Sequence, residues 1–205
     1  MSSTFPTSPP RLWVVRHGET AWSASGRHTG RTNVPLTPEG ERAAVELGER
    51  LRPSAFAIVL TSPRRRAVET ARLAGFADRA IVDDDLAEWD YGDDEGRTTA
   101  EIQADRPGWS IWREGPLGGE TLEQVAARAD RVIARARRAS GDTLAFGHGH
   151  LLRVLAARWA DLSPADGRAL LLDPATLSIL GWERQAPVIE RWNEPASPTG
   201  VQGAG

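Results

Sequence analysis

The chain has 205 residues, of which 40% are hydrophobic and 26% charged, and these values favour one compact globular domain. No run approaches the length of about 18 apolar residues that a membrane-spanning helix needs, which excludes such a span. A formal net charge of −3 argues against a general affinity for nucleic acid, although it is compatible with a local basic pocket. Cysteine and lysine are absent, which excludes thiolate, Schiff-base and P-loop lysine chemistry, so any bound anion must meet arginine, histidine or backbone N–H groups.

The first predicted elements are a strand and a helix separated by a polar loop. Residues 1–10 lack the basic start and apolar stretch of a signal peptide, and they predict a disordered tail on a cytoplasmic protein. A buried strand follows at residues 11–15. After a glycine-bearing loop, Thr37 is the predicted N-cap, and Pro38 the first residue, of a helix that ends near Arg52.

Strands and helices alternate through the rest of the chain. A second buried strand at residues 55–60 precedes a helix that Ser62 caps and that stops near Gly75. The other predicted strands are residues 80–82, 143–147, 177–182 and 188–192. Two further helices are predicted to begin at the capping boxes of Thr98 and Thr121. A last helix is predicted to begin at Leu151.

This alternation predicts an α/β fold, a three-layer α/β/α arrangement around a mostly parallel open sheet. A single domain is expected over residues 11–194, followed by a flexible tail over residues 195–205. In such sheets ligands bind beyond the carboxyl ends of the strands. Candidate reactive residues should therefore follow strands, and four segments satisfy this condition.

His17 follows the first strand, with Arg16 before it and Gly18 after it. An adjacent guanidinium group disfavours the imidazolium form, so we expect a neutral ring on an exposed, flexible turn. Such a ring suits nucleophilic attack on an anionic electrophile such as a phosphoryl group. A structural histidine is the alternative interpretation.

Three arginines, Arg64, Arg65 and Arg66, follow the second strand. Successive helical residues are rotated by about 100°, so the three cannot all face one site. One of them can point to a phosphate group near the helix N-terminus, where the dipole and free N–H groups favour anions. We expect Arg64 and Arg65 to be solvated.

His148 and His150 follow the strand at residues 143–147. Two histidines at this spacing are compatible with a metal site in which His17 or a carboxylate is the third ligand. The spacing specifies no complete ligand set, so we expect no metal. In the preferred interpretation His148 points into the site and His150 begins the next helix, partly as a structural residue.

Glu88 lies between Ala87 and Trp89 in an acidic loop after the third predicted strand. Apolar surroundings favour the protonated form of a carboxyl group, which a general acid requires. The other carboxylates of this loop are expected to be solvated or to cap helices.

Four segments in this order resemble the signatures of the histidine phosphatase superfamily, which has the phosphoglycerate-mutase-like fold. The segments are RHGET, TSPRRRAVETA, LAEWDYGDDEG and FGHGHLLRVL, and the resemblance spans residues 12–182. Within the superfamily the chain is similar to small acid phosphatases and to sugar phosphatases of the sedoheptulose bisphosphatase type. It departs from the pattern at Ser23, where asparagine is frequent, and it lacks the lysine and the longer insertion of the cofactor-dependent mutases.

The resemblance implies a phosphoric monoester hydrolase that forms a phosphohistidine on His17 and needs no metal or other cofactor. The catalytic residues that it implies are Arg16, His17, Arg66, Glu88 and His148. The substrate-binding residues that we expect are Arg16, Gly18, Ser23, His28, Thr29, Gly30, Arg66 and Gly149. Glu88 would protonate the leaving group, and the arginines and His148 would hold the phosphoryl oxygens.

The expected partner is a small phosphorylated metabolite, a sugar phosphate or bisphosphate, and neither nucleic acid nor a membrane. The segment from Trp109 to Thr121 and the arginine-rich helices are compatible with a pocket for a second phosphate group. Mutase-type phosphoryl transfer and a non-catalytic member that binds phosphorylated ligands are the alternatives. The oligomeric state stays open, a homodimer included.

Overall fold

The computed structural model describes residues 9–196. The strands of this range are β1 (Leu12–Arg16), β2 (Ile58–Thr61), β3 (Ala80–Val82), β4 (Thr143–Gly147), β5 (Thr176–Glu183) and β6 (Ala186–Pro195). The α-helices are α1 (Ala21–Ala24), α2 (Pro38–Leu51), α3 (Arg65–Ala71), α4 (Thr99–Asp105), α5 (Leu122–Arg137) and α6 (Gly149–Trp159). A π-helical turn, Arg72–Phe76, extends α3, and 3₁₀ turns lie at Asp84–Leu86, Gly92–Asp94 and Pro164–Ala169.

The six strands form one sheet in the order β3-β2-β4-β1-β5-β6. The first four strands of this order are mutually parallel, whereas β5 runs antiparallel to β1, and β6 runs antiparallel to β5. The prediction of an α/β fold with a mostly parallel open sheet is therefore confirmed.

Two hydrophobic clusters cover the two faces of the sheet. Leu12 and Val14 of β1 pack with α5 and α6, whereas Val15 packs with Leu47 and Leu51 of α2. Successive side chains of a strand point to opposite faces, so one short apolar strand contributes to both clusters. Helices therefore lie on both sides of the sheet, as the three-layer prediction requires.

The predicted helix caps are confirmed where the signal is local. Thr37 Oγ1 accepts the N–H of Gly40, and Thr98 and Thr121 each form a capping box. The loop predicted between β1 and α2 contains one additional short helix, α1, which Thr20 caps. No helix within residues 9–196 is long and apolar enough to cross a membrane.

The start of α3 differs from the prediction. Arg64, not Ser62, occupies the N-cap position, and no side chain caps this helix. Ser62 Oγ accepts the N–H of Arg64 at 3.2 Å and also contacts His148 Nε2 at 2.7 Å. Arg65 is exposed, as expected, whereas Arg64 is half-buried.

Several other boundaries also differ, by one to three residues. The predicted strand at residues 55–60 begins at Ile58, because pairing with β4 starts there. α6 begins at Gly149, two residues earlier than predicted, because the extended backbone of His148 forms its N-cap. β6 spans Ala186–Pro195 rather than the predicted residues 188–192, so it ends one residue beyond the predicted domain end. The predicted disordered and flexible tails lie outside the described residues at positions 1–8 and 197–205.

Candidate active site

Three polar residues come together where parallel strands of the sheet end. His17 follows β1, Ser62 follows β2 and His148 follows β4, and these strands are neighbours in the sheet. The N–H of His17 donates to Gly147 O at 3.0 Å, which continues the β1–β4 ladder. The ring centroids of His17 and His148 are 5.0 Å apart.

His17 is held as a neutral imidazole. Nδ1 donates to Gly18 O at 2.7 Å, which places the proton on Nδ1 and leaves the lone pair on Nε2. The ring is buried, and this burial, followed by the charges of Arg66 and Arg16, lowers the pKa of His17 well below its usual value. The expected neutral ring therefore has burial as its main cause, and the expectation of an exposed turn is wrong.

Gly18 is closely packed rather than flexible. A Cβ atom at this position would lie 2.5 Å from Gly40 O, so the loop touches the first turn of α2. The N–H of Gly18 donates to Thr70 Oγ1 at 3.0 Å. Gly18 therefore positions His17 but has no free backbone donor for a ligand.

Arg66 is fully buried between the two histidines. Its Nε atom lies 3.2 Å from His17 Nε2 and 3.2 Å from His148 Nδ1. Because His148 Nδ1 accepts this bond, His148 Nε2 carries the proton and donates to Ser62 Oγ. Burial lowers the pKa of Arg66 to about 10, so the guanidinium group stays charged at neutral pH.

A backbone loop holds the other end of the Arg66 guanidinium group. Nη2 donates to Thr29 O at 2.6 Å and to Gly30 O at 3.3 Å, and Nη1 donates to Thr32 O at 3.0 Å. The Glu95 carboxylate accepts the N–H groups of Gly30 and Thr32 and thereby holds this loop. A Cβ atom on Gly30 would lie 2.6 Å from a backbone carbonyl oxygen, so the loop requires glycine there.

Arg16 supplies a second guanidinium group, which is half-buried at the edge of a cavity. Its Nη1 atom donates to Leu172 O at 2.5 Å, whereas its Nε atom has no hydrogen-bond partner in the described part of the chain. A buried unsatisfied donor costs about 1–3 kcal/mol, and a bound anion would remove this cost. Gly149 packs against the group, since a Cβ atom there would lie 3.5 Å from Arg16 Cζ.

Glu88 sits at the N-terminus of α6. Its Oε1 atom accepts the N–H groups of Trp89 and Leu151 at 2.9 Å, and its Oε2 atom accepts that of His150 at 3.0 Å. The expected apolar surroundings are therefore wrong, because peptide groups at the start of a helix surround this carboxylate. The Trp89 indole is engaged elsewhere, with its N–H donating to Glu120 O.

His148 and His150 face different partners. His148 contacts Arg66 and Ser62, whereas His150 Nδ1 lies 2.7 Å from Tyr91 OH. Burial lowers the pKa of His150 well below its usual value. Within residues 9–196, no group of three or more histidine and carboxylate side chains could hold a metal ion.

His17, His28 and His150 border a cavity of about 440 Å³, whereas His148, Arg66 and Gly18 are absent from its lining. Of the residues predicted to line its rim, Ser23, His28 and Thr29 do so, and Gly30 is absent from the lining. The Ser23 hydroxyl is used in the capping box of α1, where it accepts the N–H of Thr20 at 2.9 Å. Among the described residues that line the cavity, Glu88 is the only one with a carboxyl group.

The cavity also contains side chains that the motifs did not identify. Five rings form what we call the aromatic compartment: His28, Tyr91, Trp109, Trp112 and His150. Neighbouring ring centroids in this compartment are 4.9–5.8 Å apart. Arg153 lines the same cavity from α6. The two tryptophans lie in the segment considered for a second phosphate group, whereas no spacing rule singled out Arg153.

Both the sequence and the structure are similar to those of known phosphatases. A model of the histidine phosphatase superfamily (branch 1) matches residues 12–195. The chain is 42% identical over 192 residues to an acid phosphatase of Mycobacterium tuberculosis, covering 90% of this chain and 94% of that protein. It is 42% identical over 191 residues to the sedoheptulose 1,7-bisphosphatase of Saccharomyces cerevisiae, covering 77% of this chain and 70% of that protein. A solved structure of an open reading frame from Mycobacterium tuberculosis matches with a TM-score of 0.87 and 40% identity, covering 92% of this chain and 99% of that one.

Proposed function

The chain belongs to the histidine phosphatase superfamily (branch 1), and we propose that it hydrolyses small phosphomonoesters through a phosphohistidine on His17. One observation carries the proposal. The half-buried guanidinium group of Arg16 and the fully buried one of Arg66 stand beside a neutral histidine. Their hydrogen bonds go to carbonyl and imidazole groups, with no carboxylate among the described hydrogen-bond partners. The Glu88 carboxylate acts on both guanidinium groups from a distance, but no anion is hydrogen-bonded to them among the described residues, so such a site favours a bound anion.

In the first step, the lone pair on His17 Nε2 is released from the N–H of Arg66 and attacks phosphorus in line with the leaving oxygen. The N–P bond forms as the P–O bond to the leaving group breaks. Negative charge is spread over the three remaining oxygens, where Arg16 and Arg66 supply fixed positive charge. His148 Nδ1 accepts the N–H of Arg66 and orients that guanidinium group, and Ser62 in turn holds the His148 ring.

Glu88 transfers the protons in both steps. Its Oε2 atom accepts a single backbone N–H, which leaves a lone pair for a proton on the cavity side. The protonated carboxyl group donates to the departing alkoxide, and the resulting carboxylate then takes a proton from water as that water attacks phosphohistidine. The N–P bond breaks, inorganic phosphate leaves and His17 returns to its neutral form.

The proposal needs no metal ion. In many phosphoryl-transfer sites divalent metals supply the positive charge that stabilises the transition state, and two guanidinium groups can supply it here. The cytoplasmic location expected from the sequence and a small-molecule phosphomonoester as partner are parts of the same proposal.

Turnover of para-nitrophenyl phosphate, together with trapping of the intermediate, tests this function. Reaction with radiolabelled substrate, stopped with denaturant at alkaline pH, should leave an acid-labile label on His17. His17→Ala should lower turnover by at least about 10⁴-fold while the circular dichroism spectrum is retained. Full turnover in this variant would refute the mechanism. Label that returns to a second hydroxyl of the substrate, rather than to inorganic phosphate, would identify mutase-type transfer.

A further inference from the structure

Tyr91 and His150 form a hydrogen-bonded pair inside the aromatic compartment, and the proposed mechanism uses neither side chain. Tyr91 OH lies 2.7 Å from His150 Nδ1. Tyr91 precedes the 3₁₀ turn at Gly92–Asp94, and His150 lies in the first turn of α6. His150 is the second of the two histidines that follow β4, and only the first of them, His148, contacts Arg66.

Both members of the pair are uncharged near neutral pH. Burial lowers the pKa of His150 well below its usual value and raises the pKa of Tyr91 well above its usual value. The imidazole therefore has one proton, and the phenol keeps its own. A hydrogen bond between two such groups can run in either direction, and the two directions give His150 different tautomers.

The surroundings of Tyr91 decide the direction of this hydrogen bond. The phenol is 1% exposed, and His150 Nδ1 is its only hydrogen-bond partner within residues 9–196. If the phenol oxygen accepted the proton of Nδ1, its own proton would be buried without an acceptor, which is unfavourable. Tyr91 therefore donates to Nδ1, and the imidazole proton of His150 lies on Nε2.

The Nε2 atom of His150 is accessible from the cavity. In the described part of the chain this atom forms no hydrogen bond, and it is not one of the unpaired polar atoms that are fully buried. The ring lines the cavity, with centroid distances of 5.3 Å to Trp112 and 5.8 Å to Tyr91. The aromatic compartment thus contains a neutral N–H donor that has no acceptor among the described residues.

The backbone of His150 places this donor beside the leaving group. The N–H of His150 donates to Glu88 Oε2 at 3.0 Å, and Glu88 is the residue proposed to protonate the departing oxygen. The ring of Trp89, the next residue after Glu88, has its centroid 6.2 Å from that of His150. A substrate whose departing oxygen meets Glu88 therefore has its next atoms near the His150 ring.

We propose that His150 Nε2 donates a hydrogen bond to an uncharged oxygen of the leaving group, an ether, carbonyl or hydroxyl oxygen, and that Tyr91 fixes the tautomer that supplies this donor. His150 is then a specificity residue, and Tyr91 is a positioning residue that acts through it. A fixed donor selects by hydrogen-bond direction, because an acceptor satisfies it and a second donor does not. This inference rests on the proposed phosphatase function.

Isosteric phosphomonoesters test the direction of this hydrogen bond. 2-Methoxyethyl, butyl and 2-(methylammonio)ethyl phosphate differ only at one chain position, which is an ether oxygen, a methylene group or an ammonium group. 3-Methoxypropyl, pentyl and 3-(methylammonio)propyl phosphate carry the same three groups one bond farther from the phosphate. We expect kcat/KM for the ether to exceed that for the methylene probe at least about fivefold at one or both positions, because a methylene group leaves the N–H of His150 without an acceptor. The opposite tautomer would instead favour the ammonium probe.

Two variants assign the preference to the pair. His150→Phe keeps an aromatic ring and removes the donor, so the ratio of kcat/KM for the ether to that for the methylene probe should fall at least about fivefold. Tyr91→Phe removes the phenol that fixes the tautomer and the ring, and the same ratio should fall at least about twofold. A general loss of stability or activity cancels in this ratio, so a merely structural role would not change it.

Thr143→Val is the matched control. Like Tyr91→Phe, it removes one buried hydroxyl group. The Thr143 hydroxyl has no hydrogen-bond partner among residues 9–196, and Thr143 is absent from the cavity lining. This variant should keep the wild-type ratio.

The tautomer can also be measured without a substrate. The chain contains only four histidines, so protein labelled with ¹⁵N-histidine gives a simple NMR spectrum, and His150→Phe identifies the signals of His150. At neutral pH we expect a protonated Nε2 and an unprotonated Nδ1. A protonated Nδ1 would overturn the inference directly, even if the variants failed to fold.

The outcomes separate this inference from the proposed function. Wild-type protein that hydrolyses para-nitrophenyl phosphate but does not prefer the ether probe at either position overturns the inference alone. An ether preference that survives in His150→Phe also overturns it. Wild-type protein that hydrolyses no phosphomonoester overturns the proposed function and the inference with it.

Discussion

Replacement of Glu88 by glutamine separates the structural role of this side chain from its chemical role. The amide oxygen can still accept the N–H groups of Trp89 and Leu151, but the amide NH₂ would face the N–H of His150, which loses its acceptor. One buried unsatisfied donor costs about 1–3 kcal/mol. For a chain of this length we therefore expect Tm to fall by about 2–12 °C.

The chemical effect of Glu88→Gln should depend on the leaving group. An alkoxide is strongly basic and needs a proton as it departs, so we expect the rate with 5-hydroxypentyl phosphate to fall by about 10²–10⁴-fold. The para-nitrophenolate ion departs without protonation, so its rate of release should change little. Single-turnover measurement of the first step is the appropriate assay, because Glu88 also acts in the hydrolysis of phosphohistidine.

Glu120→Gln is the control for the loss of a carboxylate as such. Glu120 accepts the N–H of Asp90 at 3.0 Å and pairs with Arg128 at 2.7 Å, and it does not belong to the cavity lining. This variant should lose stability without any dependence on the leaving group. If Glu88→Gln slows the first step equally for both substrates, the assignment of Glu88 as the proton donor is refuted.

Three other predictions concern ionisation, the Arg66 loop and metal. The pKa of His17 lies well below its usual 6.5, so the nucleophile stays neutral as the pH falls. We therefore expect kcat/KM, corrected for substrate ionisation, to decline only well below pH 6.5. A decline centred at or above pH 6.5 would contradict the burial argument. Gly30→Ala should lower kcat/KM at least about tenfold, because its Cβ would displace the loop that holds Arg66. Gly141→Ala is the control and should match the wild type, because the nearest contact of its Cβ is 3.5 Å away. Equal activity of the two variants would refute the role of the Gly30 loop in holding Arg66. EDTA should leave turnover unchanged, and a loss that Zn²⁺ restores would instead support a metal site.

Most of the secondary structure could be predicted because its signals are local. Thr37 followed by Pro38 marks the start of α2, and the capping box at Thr121 marks the start of α5, so neither depends on distant residues. The error at Ser62 has the opposite origin. Its hydroxyl contacts His148, 86 positions away in the sequence, and capping rules take no account of such a partner.

The candidate site could be predicted only in part. His17, Arg66, Glu88 and His148 were singled out from their positions after strands and from their motifs, and their catalytic roles stay predictions. The family resemblance drawn from these motifs is confirmed by the match over residues 12–195. The environments were less predictable, since the buried turn at His17 and the peptide groups around Glu88 both differ from expectation.

The sequence by itself determined the order of strands and helices, the family and the chemical types available to bind an anion, because periodicity, caps, motifs and the absence of lysine are properties of the chain alone. Only the tertiary structure decided that loop carbonyls at Thr29 and Thr32 hold Arg66 and that Arg153 shares a cavity with Trp112. These contacts join residues 34 to 41 positions apart, and the packing of helices on the sheet brings them together. Burial, which sets the protonation of His17, likewise arises only when the whole core assembles.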